Sequence, residues 1–291
     1  MTVKLVITAL SLMFTLLLLE NIPQAKAHLD CGNISIPYPF GLAPGCYKDD
    51  WFKNECNKIT NTPTVFIPSI KAEVLNFSDY KESVTVKGPI KSSGNCPAWK
   101  RRSSTSSSNS STLVNLTGSP FMFSSVSNRF IAVGCNTLGT ITEDATLLIG
   151  CRSTCGKERG AIEWDDAGFC QAQNCCTTSV QAGLQVLNPS VQSLHKGRED
   201  DEDECKLAFL ADGEWFGVLE DVRKVEGMEY VPLKLAWVSN FSRDTFDQET
   251  VSCGYSSDLM NPSPNTSVVT ATECACNPNY QGNPYDPQGC T

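Results

Sequence analysis

Cysteine offers this chain most of its possible chemistry, and there are 15. Cys151-x3-Cys155 and the adjacent Cys175-Cys176 have the close spacing of a zinc site, but no histidine accompanies them. His28 and His195 are the two histidines. No Cys/His or Ser/His/Asp nucleophile arrangement can be placed with them. Asp165-Asp166 is a carboxylate pair, yet adjacency does not set two carboxyl groups facing one another across a sugar, so it reads as a turn. There is no glycine-rich phosphate loop and no kinase signature. The sequence therefore assigns no catalytic residue, metal or cofactor, and the cysteines read as crosslinks.

The N-terminus supports that reading. Lys4 precedes an uncharged apolar run over residues 5–19, and Ala25-Lys26-Ala27 has small residues where a signal peptidase needs them. Residues 1–27 are expected to be a signal peptide, leaving a mature chain from His28 in an oxidising compartment where thiols pair. No second apolar run is long enough to span a bilayer. Six Asn-x-Ser/Thr sequons, at Asn33, Asn76, Asn109, Asn115, Asn240 and Asn265, predict a glycosylated surface. Because the cysteine count is odd, at least one thiol is free or pairs with another chain.

Charge is uneven. Residues 28–102 hold ten Lys/Arg against seven Asp/Glu, and the remainder is strongly acidic. A basic front on an acidic secreted protein suits a local polyanion site rather than nucleic acid.

These residues must be positioned by short β elements. Thr64–Ile67, Ala72–Phe77 and Val84–Val86 alternate or are β-branched, with prolines between that break competing helices. Residues 100–112, KRRSSTSSSNSST, bury nothing and read as a linker. Beyond it, Phe130–Val133, Ala145–Ile149, Leu184–Leu187, Leu207–Leu210 and Tyr230–Val238 read as strands. Trp215, Val218, Leu219 and Val222 have helical spacing, with Asp212 as N-cap. Residues 199–204, EDDEDE, read as a solvated loop. Cys274-x-Cys276 and Cys290, around Tyr280–Tyr285, resemble the last half of an EGF-like module. The expected fold is mostly β and disulfide-rich. It has two small β modules, 28–99 and 113–252, joined through residues 100–112, and a partial EGF-like tail at 253–291.

The segment CGNISIPYPFG, with Cys31, Gly32, Pro37, Tyr38, Pro39, Phe40 and Gly41, runs on to Cys46 and Cys56. It resembles the galacturonan-binding domain of plant wall-associated receptor kinases. NRFIAVGCN at 128–136, CKLAF at 205–209 and the final NYQGNPYDPQGC continue the resemblance. Family members often carry a cysteine just before CGN, where this chain has His28-Leu29-Asp30. The chain also lacks the membrane span and kinase of the full receptors, and so looks like a truncated ectodomain. The EGF-like spacing implies a Cys276–Cys290 bond, with Cys274 then seeking Cys253.

The resemblance implies non-catalytic binding of pectin, outside the cell, in the wall, with membrane association only within a longer receptor. Pectin's galacturonic-acid units each carry a carboxylate that lysine or arginine can pair. Lys48, Lys53, Lys58, Lys91, Arg101 and Arg102 are the leading cations, from a set that also includes Lys71, Lys81, Lys87 and Lys100. Trp51 is the leading sugar platform, ahead of Tyr38, Phe40, Tyr47 and Phe52. The alternative is a protein-interaction module or decoy acting on full-length receptor kinases. Salt separates the two, because polyanion binding weakens steeply as ionic strength rises.

Overall fold

The computed structural model describes residues 30–59, 62–78, 83–93, 96, 113–143, 146–155, 170, 173–194, 204–219, 221, 223–242, 247–254, 268–286 and 289–291. The expected signal peptide, the Ser/Thr-rich linker and residues 199–203 of the acidic block lie outside them.

Strands β1 (Asp30–Cys31) and β2 (Ile34–Ser35) form a small hairpin. Then β3 (Glu55–Asn57), β4 (Thr64–Ile67), β5 (Ala72–Phe77) and β6 (Val84–Gly88) pair in order, all antiparallel. β7 (Ile90–Ser93), β8 (Val114–Asn115), β9 (Phe121–Phe123) and β10 (Asn128–Val133) follow. β11 (Thr137–Glu143), β12 (Thr146–Arg152), β13 (Cys175–Ser179), β14 (Val186–Leu187), β15 (Pro189–Ser193) and β16 (Lys206–Asp212) come next. β17 (Val231–Ser242), β18 (Val251–Gly254) and β19 (Val268–Cys276) complete the set.

The large sheet runs β18-β19-β17-β6-β5-β4-β3, with β9 also on β17. A four-stranded sheet runs β13-β10-β16-β7, and a three-stranded one β12-β11-β15. The protein is thus mostly β and disulfide-rich.

The two expected modules share these sheets. Val84–Gly88 of β6 pairs with Val231–Leu235 of β17, and Ile90–Ser93 of β7 pairs with Lys206–Phe209 of β16. The Cys96–Cys205 bond closes the same seam, its ends 109 positions apart in the sequence. In the chain-entropy account a loop of that size contributes about 4–5 kcal/mol. The tail is not a separate unit either, because β19 pairs with β17. Alternation in a sequence shows which face of a strand is apolar. It does not name the partner that satisfies the strand's edges.

Two cores follow from period-2 alternation. Every residue of β16 is buried. Ala208 and Leu210 face one cluster, with Phe130 of β10, while Leu207, Phe209 and Ala211 face another, with Ile131 and Val133. The second cluster is covered by two short helices, α1 (Gly213–Gly217) and α2 (Arg223–Glu226). The single helix expected here is therefore broken. Asp212 does cap α1, its carboxylate accepting the Glu214 N–H at 3.1 Å, but Val218 ends the helix and is exposed. Asn128, fully buried, ties β10 to β17: its amide donates to the Lys234 carbonyl at 2.7 Å and accepts the Lys234 N–H at 3.0 Å.

The first cluster centres on Phe40. Its ring lies 5.3 Å from Phe52, 5.0 Å from Phe77, 5.1 Å from Trp237 and 6.0 Å from Phe121, centroid to centroid. Just after it, Gly41 passes so close to the next loop that a Cβ there would sit 2.3 Å from the Cys46 carbonyl oxygen. Phe40→Ala and Trp237→Ala should each cost about 3–5 kcal/mol. Val126→Ala, on an exposed turn, should stay within about 0.5 kcal/mol. Denaturant unfolding of the oxidised protein checks both.

Candidate functional site

The loop after Gly41 is built by a turn that sends neighbouring aromatics in opposite directions. Asp49 accepts the Trp51 N–H at 2.9 Å and caps a short 3-10 turn, Asp50–Phe52. Phe52 points into the aromatic core, whereas Trp51 is 38% exposed. A second turn, Pro68–Ile70, is fastened alongside by Ser69, whose hydroxyl donates to the Trp51 carbonyl at 2.8 Å. It ends at Lys71, exposed and in the left-handed region with φ 54°.

The expected ligand residues fall into three groups. Lys48, Trp51 and Lys53 lie together on this loop, all exposed, with the Lys48 ammonium 5.8 Å from the Phe52 ring centroid. Lys58 is exposed just beyond the edge strand β3. Lys91 is exposed but sits on β7, in the other sheet, opposite Ala208. Arg101 and Arg102 lie outside the described residues. Of the expected platforms, Phe40 and Phe52 are core and cannot receive a sugar, while Tyr38 and Tyr47 are half-buried. The loop is not itself basic: Asp49, Asp50 and Glu55 offset Lys48, Lys53 and Lys58. The sheet adds Lys87, which pairs with Glu73 at 2.7 Å and lies 4.5 Å from the Tyr230 ring centroid.

The C-terminal tail forms the neighbouring wall. Asn283 donates to the Tyr38 carbonyl at 2.5 Å, and Trp237 meets Tyr285 at 5.0 Å between centroids. The Tyr285 hydroxyl accepts the Cys274 N–H at 2.7 Å. Burial above all, and then the carboxylates of Asp286 and Asp49, hold the Tyr38 phenol above its ordinary value. No local sequence signal marks this docking, since its partners are 245 residues apart.

The motif cysteines separate in the structure. Cys31 bonds Cys56, Cys96 bonds Cys205, and Cys46 is left free and half-buried. The remaining pairs are Cys135–Cys155, Cys151–Cys176, Cys170–Cys175, Cys253–Cys274 and Cys276–Cys290. Among the motif's other members, Gly32 turns with φ 62°, Pro37 accepts the Phe40 N–H at 2.9 Å, and Tyr38-Pro39 is a cis peptide. Asn33, Asn76, Asn115 and Asn240 are exposed, while Asn109 and Asn265 fall outside the described residues. Among the described residues, no cluster of three or more His, Cys, Asp or Glu is arranged to hold a metal. No helix among them is long and apolar enough to cross a membrane.

Residues 25–88, which contain the motif and the Trp51 loop, match the family model described as wall-associated receptor kinase galacturonan-binding. Residues 167–246 match the wall-associated kinase model. The chain therefore carries two regions of the wall-associated receptor kinase family and is homologous to Arabidopsis members of it over most of its own length. Both models describe extracellular regions of that family rather than its kinase. Among its relatives from Arabidopsis thaliana, wall-associated receptor kinase-like 1 is 30% identical over 89% of this chain and 37% of its own length. Wall-associated receptor kinase-like 3 is 30% identical over 92% and 39%, and wall-associated receptor kinase-like 10 is 28% identical over 97% and 41%. The chain thus spans about two fifths of the curated relatives it matches. No solved structure matches it.

In this wall-associated receptor ectodomain, thiol labelling of the native protein should modify one site, Cys46, and Cys46→Ser should abolish it. Label recovered on Cys96 or Cys205 would contradict the bond that closes the seam.

Proposed function

We propose that this ectodomain binds de-esterified homogalacturonan in the cell wall, without turnover, through the face that carries Trp51. The observation that carries the reading is the match of residues 25–88 to a galacturonan-binding family model, on a segment that exposes Trp51 between Lys48 and Lys53. An indole face covers the C–H face of a sugar ring, and flanking ammonium groups pair with carboxylates on successive sugars. Asp49 and Asp50 limit the attraction at this point, so affinity must accumulate along the polymer.

Exposed lysine–carboxylate pairs contribute no more than about 1 kcal/mol each. Lys48→Ala with Lys53→Ala should therefore weaken oligogalacturonide binding by about five- to thirty-fold and flatten its salt dependence. Trp51→Ala should weaken binding with the salt slope unchanged. Methyl-esterified polymer should bind worse than de-esterified polymer. Calorimetry at two ionic strengths reads all of these. Substitution is the right instrument, because deleting residues 28–102 would remove β3 to β6 from the central sheet. Equal affinity for esterified and de-esterified polymer would instead favour the protein-interaction reading, with full-length receptor kinases as partners.

A further inference from the structure

A cavity of about 480 Å³ lies between the large sheet and the segment that carries β8. Its deep walls are the buried Val86, Phe123, Leu233 and Leu235. Its outer end is lined by Leu113, 49% exposed, and by exposed Lys71 and Asn115. Cavities of roughly 300–1,000 Å³ hold small organic ligands, so one or two sugar rings are of the right scale. Asn115 is the acceptor of the sequon Asn115-Leu116-Thr117. Its carboxamide is already oriented, since Oδ1 accepts the Thr117 N–H at 2.9 Å in an Asx turn. That fixes where Nδ2, the atom that would carry a glycan, must lie.

We infer that the N-glycan of Asn115 folds back into this cavity and that its first N-acetylglucosamine covers the apolar wall. In the modification, the amide Nδ2 loses one proton and forms a bond to the anomeric carbon of the sugar. The bond from that carbon to a lipid-diphosphate oligosaccharide donor breaks, and the diphosphate leaves with the electron pair. The first ring is then tethered one bond from the cavity mouth, so docking loses little translational freedom. Its C–H face and acetamide methyl suit the apolar wall near Leu113, while Lys71 and the Lys87–Glu73 pair offer partners to its hydroxyls. The other exposed sequon asparagines, Asn33, Asn76 and Asn240, do not line this cavity. The inference is independent of galacturonan binding.

The test uses the full chain secreted from a glycosylating host. Glycopeptide mass spectrometry should find Asn115 occupied. Timed digestion of the native protein with peptide N-glycosidase should release the Asn115 glycan at least about ten-fold more slowly than those at Asn33, Asn76 or Asn240, as expected of a group protected by structure. The difference should vanish after denaturation. Asn115→Gln should expose the wall and raise the fluorescence of an apolar dye, with the oligogalacturonide affinity unchanged. An empty Asn115, or release as fast as at Asn33, overturns the inference. Tighter oligogalacturonide binding by Asn115→Gln overturns it too, because the cavity would then belong to the polymer.

Discussion

The burial of Phe40 is the constraint on which most of this molecule hangs. Its ring meets Phe52 from the following loop, Phe77 from β5, Phe121 from β9 and Trp237 from β17. Burying a phenylalanine side chain contributes about 1.5–3 kcal/mol, and offset or edge-on ring contacts add to that. To reach the centre, the chain must turn at Pro37 and pass the Cys46 loop at Gly41, where no side chain fits. Trp237 in turn meets Tyr285, so the same cluster holds the C-terminal tail against the N-terminal motif.

The parts of the sequence that look most distinctive are therefore occupied with structure, and the face open to a ligand is built from their neighbours. Phe52 goes in and Trp51 goes out on one capped turn, so the core fixes the platform. A rigid platform suits a polymer that must meet several weak contacts in register, because less ordering is lost at each one. Under the proposed function, the mixed charge around Trp51 would favour regularly spaced carboxylates over a lone anion, since a single negative group meets Asp49 and Asp50 as readily as Lys48 and Lys53.

The disulfides divide by span. Cys170–Cys175 and Cys276–Cys290 close short loops, where they hold local shape. Cys96–Cys205 instead joins the two ends of a long excursion and staples β7 against β16. Cys46 alone has no partner, and the chain has no cysteine ahead of Cys31 to offer it.

Much of this was written locally. The alternation of Thr64–Ile67 and Ala72–Phe77 gave strands with those same ends, Asp212 marked its cap, and the CGNISIPYPFG segment carried the family. Side-chain period and capping act within a few residues, so one stretch of sequence suffices to read them. The tertiary structure decided what depends on partners far along the chain. It placed β6 beside β17, docked Asn283 on Tyr38, set Lys91 on strand β7 rather than on the loop that carries Lys48, and left Cys46 single. Strand edges, thiols and aromatic rings are alike wherever they occur, and only the closing of the whole core selects which of them meet.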